Sequence, residues 1–152
     1  MTVQSSLGTT ISIHFGVPAT YDTDGFDAIM TFSEVGEVAD VGEFGGSMTP
    51  NTHTPVKTGI VNKVEGPIDY GNQTLQMARM TGDDGQVIAK AGFDGANKGK
   101  VHSFKVVYVD GLIEYYTGII TAFTSNVGSA SAVRNAGITV ALNNKVLVKE
   151  PA

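Results

Sequence analysis

The stretch Ser103–Thr124, SFKVVYVDGLIEYYTGIITAFT, reads as two strands and a tight turn. Phe104, Val106 and Tyr108 alternate onto one side of the first segment, the period-2 pattern of a half-buried strand. Asp110-Gly111 then supplies the residue pair that a two-residue hairpin turn favours, because both can adopt a positive φ. Leu112–Thr124 follows, rich in β-branched and aromatic side chains that fit a pleated surface. An antiparallel hairpin in the C-terminal half therefore sets the fold class.

Outward from the hairpin the same reading continues. After a Ser/Gly/Ala-rich connection (Ser125–Ser131), Ala136–Lys149 alternates again, with Ile138, Val140, Leu142, Val146 and Val148 on one face. Upstream, Asp83–Phe93 is the one good helix candidate. Thr81 or Asp83 can cap it, acids suit its N-terminal dipole, and Val87, Ile88 and Ala91 fall at helical spacing to pack on a sheet. The linker Asp94–Lys100, rich in glycine and lysine, ends it. Ile68–Met80 reads as a strand with Asn72, Thr74 and Gln76 on a wet face and Leu75 and Met77 on a buried one. Thr9–Phe15 gives a first strand with Ile11, Ile13 and Phe15 on one side. Pro18 and the cluster Asp22–Gly25 make a loop, and Ala28–Val38 resumes strand character, interrupted by Gly36, before Gly42, Gly45 and Gly46 break it up. The expected fold is mainly β: an antiparallel β-sandwich or flattened barrel with one short flanking α-helix.

Composition bounds the rest. The 152 residues suit one domain, 1–152, and 41% hydrophobic content suits an ordered globular core. Nineteen glycines favour turns and close backbone approaches. With no cysteine there is no disulfide framework and no thiolate metal site. No apolar run approaches the roughly 20 residues needed to span a bilayer. The start, MTVQSSLGTT, lacks the regions of a secretory signal, so a soluble protein that stays in the cytoplasm where it is made is expected, with residues 1–8 as a fraying arm.

Two stretches resist the reading of an ordinary monomer. Tyr21–Gly46 holds seven acids, and no lysine or arginine precedes Lys57, so residues 1–56 carry a formal −7 and the remainder +2. Such a block is either a solvated acidic face or a surface built to repel an anion. Residues 47–67, SMTPNTHTPVKTGIVNKVEGP, hold three prolines and little apolar periodicity, which reads as a long loop or extended hairpin arm.

Catalytic motifs are missing. His14, His53 and His102 show no metal-ligand spacing and read as surface or core residues. Asp22-Thr-Asp24-Gly-Phe-Asp27 departs from a calcium loop in its glycine position and its lack of a closing Glu, and reads as an acidic turn. Lys57-Thr58-Gly59 has no Ser-x-x-Lys before it, no Walker loop occurs, and Asn72-Gln73-Thr74 is a chance sequon without a secretory signal. No basic stripe with interleaved aromatics marks a nucleic-acid reader. The chain reads as a non-enzyme without cofactor or metal.

The run Thr31-Phe-Ser-Glu-Val-Gly-Glu-Val-Ala-Asp-Val-Gly-Glu-Phe-Gly45 resembles the signature of the major tail tube proteins of long, non-contractile (siphovirus-type) phage tails. Pro18-Ala-Thr-Tyr-Asp22 precedes it; Thr52-His-Thr-Pro55, Gly66-Pro-Ile-Asp-Tyr-Gly71, Asp84-Gly-Gln86 and His102-Ser-Phe-Lys105 follow in the order of that family. The resemblance runs from about Gly8 to Leu147, and order and spacing carry it. The sequence departs from the pattern in a longer, more basic Gly95–Lys100 linker and in stopping at Ala152 with no appended immunoglobulin-like domain.

The resemblance implies a structural virion protein, assembled in the host cytoplasm, whose six-fold rings stack into a hollow tail tube that conducts genomic DNA. Its implied partners are further copies of itself, the tape measure, tail tip and tail terminator proteins, and double-stranded DNA passing without specific binding; membrane insertion is not implied. Phosphate contacts would hold the DNA, so a lumen of acids or uncharged polar groups fits a conduit. Glu34, Glu37, Asp40 and Glu43 with Asn72, Thr74 and Gln76 are the expected lumen residues. Glu34 shares strand parity with Asp40, and Glu37 with Glu43, unless a bulge near Gly36 or Gly42 resets the pattern. The arm, with Thr52, His53, Pro55, Lys57 and Lys63, is the expected inter-ring contact. Two other readings are the inner tube of a contractile tail or type VI secretion system and a monomeric β-sandwich binding module. The latter needs exposed aromatics, whereas the chain has no Trp and five Tyr.

Overall fold

The computed structural model describes residues 3–151; Met1, Thr2 and Ala152, and with them the start of the expected N-terminal arm, lie outside the described residues. In chain order the first elements are β1 (Thr10–Phe15), α1 (Thr23–Asp27), β2 (Ser33–Glu34), β3 (Val38–Asp40), β4 (Ser47–Met48), β5 (Asn51–His53) and β6 (Asn62–Val64). There follow β7 (Ile68–Asp69), β8 (Asn72–Ala78), α2 (Asp84–Asp94), β9 (His102–Val107), β10 (Ile113–Asn126), β11 (Asn135–Leu142) and β12 (Leu147–Lys149).

Eight strands form one curled antiparallel sheet, half of a barrel, in the order β2-β1-β9-β10-β11-β8-β3, with β12 also on β10. The hairpin forms, with Ile113 opposite Val107 and Gly118 opposite His102, but its turn is longer than the two residues expected: the Tyr108 N–H donates to Leu112 O at 2.8 Å across Val109–Gly111, and of the Asp-Gly pair only Gly111 has a positive φ, 94°. Strand β10 is 14 residues long and changes partners along its length. Its first half pairs with β9 and β12, and its second half with β11. Residues 119–126 therefore have a strand on one side only among the described residues.

One face of the sheet is the core. Ile11 and Ile13 of β1, Phe104 and Val106 of β9, Tyr116 and Ile120 of β10, Ile138 and Val140 of β11, and Leu75 and Met77 of β8 are buried there. Each large apolar side chain so buried stabilises the fold by roughly 1.5–3 kcal/mol. Helix α2 lies on this face. Asp83, not Thr81, is its N-cap and accepts from the Gln86 N–H. Its inward stripe is Gly85, Gln86, Ala89 and Gly92, so the helix sits close to the sheet. A Cβ at Gly92 would lie 2.7 Å from the His102 ring, and one at Gly85 would lie 2.7 Å from Val35. The expected stripe was out of phase: Val87 is exposed, while Ile88 packs at the margin of the core. Small residues mark much of the packed face, because Gly85 lies against the strap backbone and Gly92 against the His102 ring and Ile120.

Other expectations need correction. The loop read at Asp22–Gly25 contains a second helix, α1, capped by the Asp22 carboxylate on the Gly25 N–H. Its Phe26 is fully buried on the face of the sheet opposite the core, stacked on Tyr115 at 4.9 Å. Ala28–Val38 is not one strand; only Ser33–Glu34 and Val38–Asp40 pair, with Glu37 between them at φ 54°. Ile68–Met80 is broken at Gly71, where φ is 73°. Ala136–Lys149 splits into β11 and β12 because both must align on the one long edge of β10. The break turns Val148 outward, opposite Glu114; separately, Phe15 at the end of β1 and Ile68 at the start of β7 are half-exposed.

Candidate assembly surfaces

The acidic signature is a strap between the two edges of the sheet. Strand β2 pairs with β1 at one edge, and β3 pairs with β8 at the other. Between them the Val35 N–H donates to Ile11 O at 2.9 Å, and the Ala78 N–H donates to Glu37 O at 3.0 Å. The strap crosses the N-terminus of α2, where the Gly36 N–H donates to Asp83 Oδ2 at 3.1 Å. A Cβ at Gly36 would meet Asp83 Oδ1 at 2.5 Å and push the capping carboxylate out of place. Gln86 joins all three elements from a fully buried position. Its Nε2 donates to Ala78 O (2.8 Å) and Gly36 O (3.4 Å), and its Oε1 accepts from Met80 N–H (3.0 Å). The sequence reading placed Gln86 only as a helix opener; its position one turn into a capped helix was the available signal.

This geometry separates the four acids that strand parity grouped in pairs. Glu34 stands at the β2 edge beside Ser12, while Asp40 stands at the opposite edge beside Gln76. A bulge between Val38 and Asp40 resets the parity there, two residues on β3 facing one step on β8. Glu37 is exposed on the strap, and Glu43 is exposed near Asn72 beyond β3. Asp40 Oδ1 accepts from the Gly42 N–H at 2.8 Å.

On β8, Asn72, Thr74 and Gln76 are exposed while Gln73, Leu75 and Met77 are buried. The wet face extends across register neighbours, Thr74 opposite Thr139 and Gln76 opposite Gly137, to Thr124 and Asn126 of β10. Strand segments 72–76, 119–126 and 135–141 contain no charged residue. The nearest arginines are drawn to its rim. Arg134 Nε donates to Arg79 O at 3.0 Å, and the Arg79 guanidinium lies 5.3 Å over Phe123 on the core side. At the far end of the same face, α1 covers the sheet. There Lys149 holds Asp27 at 2.8 Å, and the Tyr115 hydroxyl donates to it at 2.5 Å. These two contacts hold the Asp27 carboxyl below its ordinary value, the Lys149 contact first. Burial and that carboxylate push the Tyr115 phenol up.

Residues 47–67 form a hairpin arm, with Ser47 opposite Asp69 at its base and Thr52 opposite Lys63 and His53 opposite Asn62 further out. The Gly59 N–H closes the tip on Pro55 O at 2.8 Å, and Lys57 sits in that turn. Every residue of the arm is exposed except Pro55 and Gly66, which are half-exposed. The sequence reading named its polar and basic members and missed Val56, Ile60 and Val61, which are apolar and uncovered at the tip. Two short apolar runs in an otherwise polar segment were the signal. His14 bonds Thr31 Oγ1 at 2.8 Å, His53 is exposed, and His102 is buried, so the three histidines share no site.

A half-barrel with an uncharged wet face, a one-sided long strand and a projecting arm defines a protein built for self-assembly. The chain belongs to the lambda phage tail tube protein family, whose profile matches residues 20–147. It is a structural component of the phage tail, not an enzyme, and self-assembly into a tube follows from the family. The fold is similar to a chain of the anti-feeding prophage baseplate (TM-score 0.72, 8% identity, 98% of this chain and 97% of that one). It is also similar to the sheath/tube terminator of an extracellular contractile injection system, PVC (TM-score 0.68, 11% identity, 99% of each chain). The SPP1 tail tube is a third likeness (TM-score 0.59, 13% identity, 94% of this chain and 78% of that one). No curated protein sequence matches the chain.

Proposed function

We propose that this chain forms six-fold rings that stack into the DNA conduit of a non-contractile tail, with the wet face of β8, β11 and the second half of β10 turned to the lumen. The observation that carries the reading is the absence of any fixed cation on that face, which leaves DNA phosphates nothing to bind. Asn72, Thr74 and Gln76 line the channel with Asp40 at its edge; Glu37 and Glu43 stand close to it and Glu34 does not. The one-sided stretch 119–126 of β10 and the short β3 are the two ends of this half-sheet. Pairing one with the other between neighbours closes a barrel and removes both exposed edges. The arm, through Thr52, His53, Pro55, Lys57 and Lys63, reaches the adjoining ring. Tape measure, tail tip and terminator proteins are the partners of such a tube. Negative-stain microscopy of the concentrated protein tests the reading: hollow tubes or rings are expected, and a monomer at every concentration would refute it.

A second reading has an observation of its own. Two of the similar structures come from contractile systems, so the inner tube of such a machine is the alternative. Tubes that form without a sheath protein and restore DNA delivery to a tail-tube-deficient siphophage favour the first reading.

A further inference from the structure

Four aspartates are followed directly by glycine, Asp24-Gly25, Asp84-Gly85, Asp94-Gly95 and Asp110-Gly111, and no asparagine is. An Asp-Gly link is the peptide bond most open to rearrangement, because glycine has no Cβ to shield its nitrogen. That nitrogen can bond to the carbon of the preceding side-chain carboxyl group wherever the backbone lets the two meet. The fold treats the four links differently.

Three of them are locked. Asp24, Asp84 and Asp94 are all helical, and closing a ring would force their ψ away from the helical value of about −42°. In α1 the Gly25 N–H is taken by the Asp22 carboxylate at 2.6 Å, and Thr20 O lies 2.0 Å from where a Gly25 Cβ would stand. In α2 Gly85 is buried against the strap, with Glu34 O 2.7 Å from its would-be Cβ. At the end of α2 Lys90 Nζ holds the Asp94 carboxylate at 2.7 Å, and the Gly95 N–H donates to Ala91 O at 3.0 Å.

Asp110-Gly111 is not locked in this way. Both residues are exposed in the turn between β9 and β10, outside either strand. Asp110 Oδ1 accepts from the Leu112 N–H at 3.1 Å, which folds the carboxyl group back along the Gly111 peptide. Space beside Gly111 is open, since a Cβ there would meet only Pro151, at 3.6 Å. Rotating Asp110 breaks turn bonds such as Gly111 N–H to Tyr108 O, 3.0 Å, but no strand pair.

We propose that Asp110 is the site at which the folded chain isomerises with age. The Gly111 nitrogen bonds to the side-chain carbon of protonated Asp110. Its proton and the carboxyl hydroxyl leave as water, which closes a five-membered succinimide. Water then adds back at one of the two ring carbonyls. Opening at the side-chain carbonyl restores aspartate. Opening at the main-chain carbonyl leaves isoaspartate, whose backbone runs through the former side chain and is one methylene longer. No oxidation or reduction takes place. The added length stays within the turn, because Val107 and Ile113 remain paired on either side of it. The carboxyl group set free is the one that isoaspartyl methyltransferases esterify with S-adenosylmethionine, so an enzyme of that class is the partner the aged turn fits. Nothing in this chemistry depends on assembly.

Purified protein kept warm at neutral pH for weeks tests the site, with isoaspartyl methyltransferase and methyl-labelled S-adenosylmethionine as the probe. Most of the label should map to the peptide carrying Asp110. The endoprotease that cuts before aspartate should lose its cleavage there and keep it at Asp24, Asp84 and Asp94. Protein unfolded in guanidinium should take label at all four links, since only the fold separates them. No label at Asp110 of the folded chain overturns the inference, as does label spread evenly or concentrated at another link. A preference for Asp110 that persists in guanidinium also overturns it, because the fold is then not its cause. Asp110→Glu keeps the charge but needs a less favourable six-membered ring, and should cut the label on folded protein several-fold; unchanged label counts against the site. Should that variant fold poorly, the map of the wild-type chain decides alone.

Discussion

At the scale of single residues, Gln86 and His102 show how a polar group can be either the strength or the weak point of a core. Gln86 satisfies backbone groups of the strap, the end of β8 and Met80 at once. Gln86→Leu keeps the volume and strands those groups in a buried place, which should cost about 2–4 kcal/mol in denaturant unfolding. Asp83→Asn keeps an acceptor for the cap and should cost under about 1 kcal/mol; equal losses would show that Gln86 is only a space-filler. His102 is also buried, its Nδ1 donating to Lys100 O at 2.9 Å, but its Nε2 has no partner among the described residues. Burial holds its pKa below the ordinary value against the opposing bond to the Lys100 carbonyl, and His14 adds to the lowering. The unfolded chain thus takes up a proton first, near pH 6.5. Stability is full above that pH and falls as the pH drops towards the lowered folded value. His102→Gln should flatten the decline between pH 7 and pH 5; an unchanged slope would exonerate the histidine.

At the scale of elements, the strap is tied into the fold, and the arm is the segment proposed for assembly. The strap belongs to the fold: it hydrogen-bonds both sheet edges and the helix N-terminus, and Val35 within it is buried. The arm stands apart from the main sheet: its strands pair with each other and, at the base, with β7, and its apolar tip is uncovered, which suits the proposed assembly contact. Replacing residues 49–66 with a short Gly/Ser turn should therefore leave the circular dichroism spectrum and the cooperativity of melting almost unchanged while abolishing tube growth. Normal polymerisation of the shortened chain would remove the arm from the stacking contact.

At the scale of the whole molecule, the two sides of the sheet carry different tasks. The core side buries α2, and the opposite side is covered by α1 at one end and bare at the other. Thr74 and Thr139 are cross-strand neighbours near the middle of the bare face. Changing both to lysine alters neither the core nor a charge pair. In a six-fold ring it would place twelve cations against the phosphate backbone. Tubes of normal length that deliver DNA at least tenfold less often are expected in a complementation assay. Wild-type delivery by such tubes would show that this face does not meet DNA.

The sequence by itself determined the elements whose pattern is local. Alternation placed β1, β9, β10 and the wet and buried faces of β8, and the capping acids with the following glycine-rich linker placed α2 within a residue. Composition showed a lopsided acidic third and a proline-broken arm, and motif order was enough to point to the family. Tertiary structure alone decided where those pieces meet. Glu34 and Asp40 are six residues apart yet stand on opposite edges of the sheet, because the strap between them spans it. Nothing periodic records that crossing, since a bulge and a positive φ at Glu37 interrupt strand parity there. Likewise α2 packs through Gly85, Ala89 and Gly92, small enough to lie against the strap backbone and the His102 and Ile120 side chains, which a search for large apolar residues passes over. Local patterns follow from each residue's own preference for one face; long-range placement follows from which surfaces fit once those faces exist.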